Sequence, residues 1–313
     1  MVRRVLKYFA LFILLTTISA VLWLRWDAGR PRDDWFNERQ GEIETAVVET
    51  SVTRYGQLSE AVELISTTGL RVNFRVIRDT RAGGAAPVLL TLGGHRTGSD
   101  AVDLFGDVGD RAVVGLDYPY DGPEKVKGAA AIARTIPQAR QAFLDTVPAV
   151  SLVVDWLVQQ PWADSNKIII AGVSLGVPFA ATVARRDHRI AGAVLVHGAA
   201  DNRLWMETQV ARRIDTELLH YPLSVVLYWL AYGPVLDTSQ HVTHLAPRPL
   251  LIINARDDER TPDGQAQMLF AAAGEPKRLR FSEGRHIQPN RTEIIAELLQ
   301  IIDDEMDFLI AGE

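Results

Sequence analysis

Residues 167–186 read KIIIAGVSLGVPFAATVARR, and this stretch decides the fold. The run after Lys167 is β-branched and apolar at consecutive positions, so it reads as a strand buried on both faces, the kind found in a parallel sheet covered by helices. From Gly176 onward the pattern turns helical, with small residues that permit close packing, and Pro178 must sit in the first turn. Between strand and helix stands Gly172-Val173-Ser174-Leu175-Gly176. A tight strand-to-helix turn lifts its serine above the sheet end, and the flanking glycines avoid clashes with neighbouring backbone. Ser174 is therefore a candidate nucleophile.

Working outward, the segments 60–66 (EAVELIS) and 70–78 (LRVNFRVIR) alternate and are separated by Thr67, Thr68 and Gly69, which predicts a hairpin. The apolar runs 88–92, 167–171, 193–196 and 249–254 predict buried strands, and 136–160 predicts a crossover helix with a kink or an N-terminal boundary at Pro148. Alternation of this kind predicts an α/β, doubly wound, mostly parallel sheet. Residues 201–243 interrupt it with a helical insertion that ends in the apolar segment 223–232 (LSVVLYWLAY). An insertion above the carboxyl ends of the strands is where a lid would sit.

Serine needs a base to activate it and a carboxylate to orient that base. After the strand-like RPLLIIN comes a carboxylate cluster, Asp257-Asp258-Glu259, and after residues 278–281 comes Ser282-Glu283-Gly284-Arg285-His286. Of the seven histidines, His286 alone follows both the acid loop and the last predicted strand. Ser174, Asp258 from this cluster and His286 then stand in the order serine, acid, histidine. Oxyanion donors are expected from the Leu175 backbone N–H and from the loop 93–98 (GGHRTG). The aromatic loop 117–122 (DYPYDG) reads as structural. His241 and His244 lie three apart and His197 lies near a strand end, but no carboxylate pattern completes a zinc set, so neither metal nor cofactor is expected.

Over roughly residues 60–305 the sequence resembles the α/β-hydrolase superfamily, in its esterase, dienelactone-hydrolase-like and peptidase-like groups. An acid loop in such proteins commonly reads G-x-x-D-x-x-x-P; Ala255, Asp258 and Pro262 match its spacing, which selects Asp258. The family's His-Gly turn corresponds to Gly93-Gly94, so the resemblance assigns the second donor to the His95 amide, with Gly93 replacing the motif's first histidine. Val177 stands where many esterases carry a further glycine, and the expectation is a narrowed approach to the acyl pocket. The implied activity is that of a serine hydrolase cleaving a carboxylic ester or related acyl bond in a small-molecule acyl substrate. A peptidase, amidase or acyltransferase would use the same residues, and a noncatalytic binding protein would keep the fold alone. An imidazole base works neutral, so activity should rise with pH as histidine loses its proton.

With 33 Lys+Arg against 39 Asp+Glu, the net charge of −6 argues against a nucleic-acid partner. The absence of cysteine excludes disulfides, thiol catalysis and cysteine-ligated metal. At the amino terminus, Arg3, Arg4 and Lys7 precede an uncharged run, residues 8–24 (YFALFILLTTISAVLWL). As a helix it spans about 26 Å, close to a hydrocarbon core. Its length favours an uncleaved anchor over a cleaved signal peptide, with the basic cluster cytoplasmic and the catalytic domain outside the cytoplasm; secretion after cleavage is the alternative. The expected organisation is an anchor at 1–26, a tether and lead-in at 27–57, and a hydrolase domain at 58–313 with its lid near 201–243.

Overall fold

The computed structural model describes residues 2–81, 83–94, 97–123 and 126–311. Helix α1 (Val2–Gly29) is followed by α2 (Asp33–Gln40) and by three antiparallel strands, β1 (Ile43–Val52), β2 (Leu58–Ser66) and β3 (Arg71–Arg78). Then come β4 (Ala86–Leu92), a 3-10 turn (Ser99–Leu104), β5 (Ala112–Leu116), α3 (Ala129–Leu157), β6 (Ala163–Val173), α4 (Gly176–Arg186) and β7 (Ile190–Val196). The insertion holds α5 (Asn202–Ala211), a 3-10 turn (Glu217–Leu219), α6 (His220–Leu230) and α7 (Thr238–Val242). The chain closes with β8 (Leu250–Ala255), α8 (Gln265–Ala272), β9 (Lys277–Ser282), α9 (Thr292–Asp304) and α10 (Met306–Ala311).

The nine strands form one sheet in the order β1-β2-β3-β5-β4-β6-β7-β8-β9, parallel from β5 to β9. Neighbouring residues point to opposite faces, and both faces are dry. Leu90, Ile170, Leu195 and Ile252 pack with Val150 and Val153 of α3 and Phe179 and Val183 of α4. Leu89, Ile169, Val194 and Leu251 pack with Leu298 and Ile302 of α9 and Phe308 and Leu309 of α10. Two-sided burial explains the uninterrupted apolar runs. Because β4 lies between β5 and β6, the strand order reverses there, and the loops leaving β4 and β6 meet over a crevice of the kind that binds ligands in open α/β sheets.

Two segments differ from the sequence expectation. Residues 27–57, expected as a tether, form the end of α1, α2 and β1. Strand β1 is exposed along nearly its whole length, so no apolar alternation marks it; its backbone pairing with β2, such as Val48 opposite Val62, makes it a strand. Helix α3 starts earlier than expected and runs through both Pro137 and Pro148. A proline inside a helix costs about 3 kcal/mol, and burial of Leu144, Val147, Val150 and Val153 around Pro148 offsets it.

Candidate active site

Ser174 follows β6 with φ of 53°, a left-handed conformation that non-glycine residues seldom adopt. Its N–H donates to the Val196 carbonyl at 2.8 Å, which pins the turn to β7. A Cβ at Gly172 would lie 2.6 Å from the Ala180 Cβ, and one at Gly176 would press into the Leu92 carbonyl, so the turn closes only with glycine at both positions.

The loops after β8 and β9 bring Asp258 and His286 to this turn. His286 Nε2 lies 2.8 Å from Ser174 Oγ, and its Nδ1 lies 2.9 Å and 3.0 Å from the two Asp258 carboxylate oxygens. A carboxylate accepts only, so Nδ1 carries the proton and Nε2 is free to accept the serine hydroxyl hydrogen. Asp258 also accepts the N–H groups of Arg260 and Thr261, each at 2.8 Å. Burial would raise its pKa, but the His286 hydrogen bond and charge with these two amides hold it below the ordinary carboxylate value. Asp257 is exposed, and its N–H donates to the Gly284 carbonyl at 2.9 Å.

Two contributors were not legible in the sequence. Glu259 Oε2 accepts the His286 N–H at 2.9 Å, and its other oxygen pairs with Arg291 at 3.1 Å; Arg291 in turn donates to the His286 carbonyl. The backbone on both sides of the imidazole is thereby clamped. Burial opposes ionisation of Glu259, yet the His286 amide and Arg291 hold its pKa down at about 2. The second is His197, fully buried at the end of β7 with φ of 52°. Its Nδ1 accepts the Ile287 N–H at 2.9 Å, so the proton sits on Nε2, which donates to Ser282 Oγ at 3.0 Å. Its ring lies 5.4 Å from that of His286, and burial, reinforced by this neighbour, keeps His197 below the ordinary histidine pKa. Only its position near a strand end was visible from the sequence.

The loop leaving β4 lies over Ser174: a Cβ at Gly94 would stand 3.8 Å from the serine Cβ. The Tyr118 hydroxyl donates to the Gly93 carbonyl at 2.6 Å, which ties the aromatic loop to this one. His95, the expected second donor, lies outside the described residues. The Leu175 N–H donates to no backbone carbonyl among the described residues.

An apolar pocket opens beside Ser174, lined by Phe143, Leu175, Pro178 and, from the insertion, Trp205, Met206 and Tyr228. Val177, expected to narrow it, is fully buried elsewhere: its side chain fills the space left by Gly198, where a Cβ would collide with it. Helix periodicity turns Leu175 and Pro178 toward the pocket and Val177 away. Donor atoms of His197, Asp258 and His286 lie within 4.8 Å of one another, the one group among the described residues with metal-ligand spacing. Both ring nitrogens of His197 and Nδ1 of His286 are already engaged, so an ion there would have to displace those hydrogen bonds.

Residues 144–292 match the model of the prolyl oligopeptidase family. The structure is similar to an acetyl xylan esterase from a Paenibacillus species (15% identity, TM-score 0.61) and to one from a Thermoanaerobacterium species (16%, 0.58); each match covers 86% of this chain and 93% of the other. A glucuronoyl esterase from Solibacter usitatus is similar over 90% of this chain and 91% of its own, with 13% identity and a TM-score of 0.54. No curated protein sequence matches. The chain has the α/β-hydrolase fold, and the resemblance read from its motifs holds at the level of that superfamily.

Proposed function

We propose that the protein is a membrane-anchored serine hydrolase that cleaves a carboxylic ester. The observation that carries this reading is the continuous chain from Ser174 Oγ through the His286 imidazole to Asp258, with the serine held in a left-handed turn. Ser174 Oγ attacks the acyl carbonyl while His286 Nε2 takes its proton. The tetrahedral oxyanion is met by the Leu175 N–H and by the loop leaving β4, to which the His95 amide belongs. The intermediate collapses, His286 returns the proton to the departing alkoxide, and the acyl group stays on Ser174. Water then attacks with His286 again as base, releasing the acid and restoring the serine hydroxyl. Asp258 holds the tautomer and stabilises the imidazolium. The apolar pocket beside Ser174 suits the acyl part of such a substrate.

α1 is long and apolar enough to cross a membrane, and none of its hydrophobic window is buried against the rest of the protein, which supports the anchor. Arg3, Arg4 and Lys7 assign its start to the cytoplasmic side and the catalytic part to the other. Peptide-bond hydrolysis is the second reading, favoured by the match to the prolyl oligopeptidase family model. The full-length protein in detergent, treated with a fluorophosphonate, should be labelled, with labelling lost in Ser174→Ala and His286→Ala. Short-chain aryl esters turned over faster than peptide anilides would support the ester reading. A folded wild type that resists labelling refutes the mechanism.

A further inference from the structure

The catalytic body is not hung on a loose tether. The apolar run of α1 ends at Leu24, and Asp27, three residues on and about 4.5 Å further along the helix axis, is already buried at 5% exposure. Asp27 accepts from Arg32 at 2.7 Å and from Arg140 of α3 at 2.5 Å. Arg140 also donates to the carbonyls of Trp229 and Leu230, both at 3.1 Å, and so holds the last turn of α6. Its guanidinium lies 4.2 Å from the ring centre of Tyr232, with Arg32 5.2 Å from the same ring. α1 packs directly against α6. The foot of the apolar helix and the insertion thus form one locked unit, which sets α6 where α1 leaves the body.

The turn before α6 and α6 itself expose apolar side chains. Leu218 is 85% exposed, Tyr221 60%, Leu219 44% and Leu227 41%, and α6 carries no Asp, Glu, Lys or Arg. Trp23 and Trp26, also exposed, flank the end of the apolar run, where aromatic side chains mark a membrane–water interface. The same helix contributes Tyr228 to the pocket beside Ser174, together with Ala231 and Gly233 just after it, and Tyr221, two turns before Tyr228 on the same side, carries the Arg203 guanidinium 5.3 Å from its ring centre. One helix therefore joins exposed leucines, a membrane-length helix packed against it and the pocket of the nucleophile.

We propose that the surface formed by Leu218, Leu219 and Leu227 is seated in the lipid interface beside α1, and that the pocket is filled from the bilayer by an acyl ester of a membrane lipid. This rests on the reading of α1 as an anchor and of Ser174 as a nucleophile. Continuity with α1 selects the lipid surface as the occupant: a helix fixed to the foot of a membrane span reaches the headgroup layer without any further motion.

The cysteine-free sequence makes the test direct. Leu218→Cys, Leu227→Cys, Phe12→Cys in α1 and Val47→Cys on β1 are each labelled with an environment-sensitive fluorophore in the full-length protein. Each is reconstituted into phosphatidylethanolamine–phosphatidylglycerol vesicles. Labels at 218 and 227 should be quenched by brominated lipid and shielded from aqueous iodide, like the label at 12, whereas the label at 47 should be open to iodide. Iodide access at 218 and 227 equal to that at 47, with 12 shielded, overturns the docking and leaves the anchor standing; access at 12 as well refutes the anchor and the docking with it.

Leu218→Asp/Leu227→Asp should lower hydrolysis of a long-chain ester dissolved in the vesicles about tenfold and leave a short-chain, water-soluble ester unaffected. Equal rates on the long-chain ester in wild type and variant overturn the lipid-substrate assignment. A wild type inactive on both esters overturns that assignment through the hydrolase reading, and the quenching result stands apart from it.

Discussion

His197 offers the sharpest test of how His286 is held. Replacing it with Phe leaves the Ile287 N–H and the buried Ser282 hydroxyl without their partners, at about 1–3 kcal/mol each. Ile287 adjoins His286, so losing this anchor frees the loop that carries the base, and a shift of about 1 Å there costs about a hundredfold in rate. Asn and Gln separate the two contacts. The Asn oxygen stands near the place of Nδ1 and keeps an acceptor for Ile287, and Asn also tolerates the positive φ at this position. Gln reaches the place of Nε2 and keeps Ser282 instead. Ester turnover and melting temperature are measured for all three, with Ser282→Ala as the control that loses only the second contact. The expected order is kcat within about tenfold of wild type for Asn and Ser282→Ala, and about a hundredfold lower for Gln and Phe. Gln retaining full kcat while Asn falls to the level of Phe would refute the argument, as would a Phe variant that loses stability with kcat intact.

Acid should act through Glu259. Its folded-state pKa of about 2 lies below the ordinary 4.5, so its stabilising effect is complete above 4.5 and is lost as pH falls from there toward 2. Glu259→Gln should melt at a lower temperature than wild type at pH 7 and show a shallower loss of stability across that acid window; parallel melting curves at every pH would count against the clamp. Asp258→Asn should slow fluorophosphonate labelling by about 10³–10⁴-fold with little change in melting temperature, because the tautomer is lost while the loop remains. Tyr118→Phe removes the hydroxyl bonded to Gly93 and should cost about 1 kcal/mol in thermal stability. In that variant, slower acylation with unchanged deacylation would mark a disturbed loop after β4, and two unchanged steps would free Tyr118 from any part in shaping the site. Gly176→Ala should yield no folded protein, since its Cβ has only the Leu92 carbonyl to enter; a soluble, active variant would contradict the packing of the turn.

The strand-turn-helix of 167–186 and the parallel strands after it were legible because local pattern encodes them: two-sided burial writes uninterrupted apolar runs, and a tight turn writes glycines at fixed spacing. The hairpin of β2 and β3 was legible for the same reason, through alternation and its Thr67-Thr68-Gly69 turn. Strand β1 was not, because a strand exposed on both faces carries no period, and its state rests on the hydrogen bonds of β2. Pro148 pointed to a kink or an N-terminal boundary, and only core packing decided that the helix runs through it, and through Pro137 as well.

The same division runs through the site. Chain order and motif spacing nominated Ser174, Asp258 and His286, separated by 84 and 28 positions. The sequence could not show that Glu259 and Arg291 grip the backbone of His286, that His197 lies beneath it, or that Val177 turns away from the pocket. Nor could it show that Asp27 locks the foot of α1 to α6 through Arg140. Periodicity and turn chemistry act over a few residues and are written in local sequence, whereas these contacts join residues brought together only when separate elements pack, and no local pattern records which partners packing will supply.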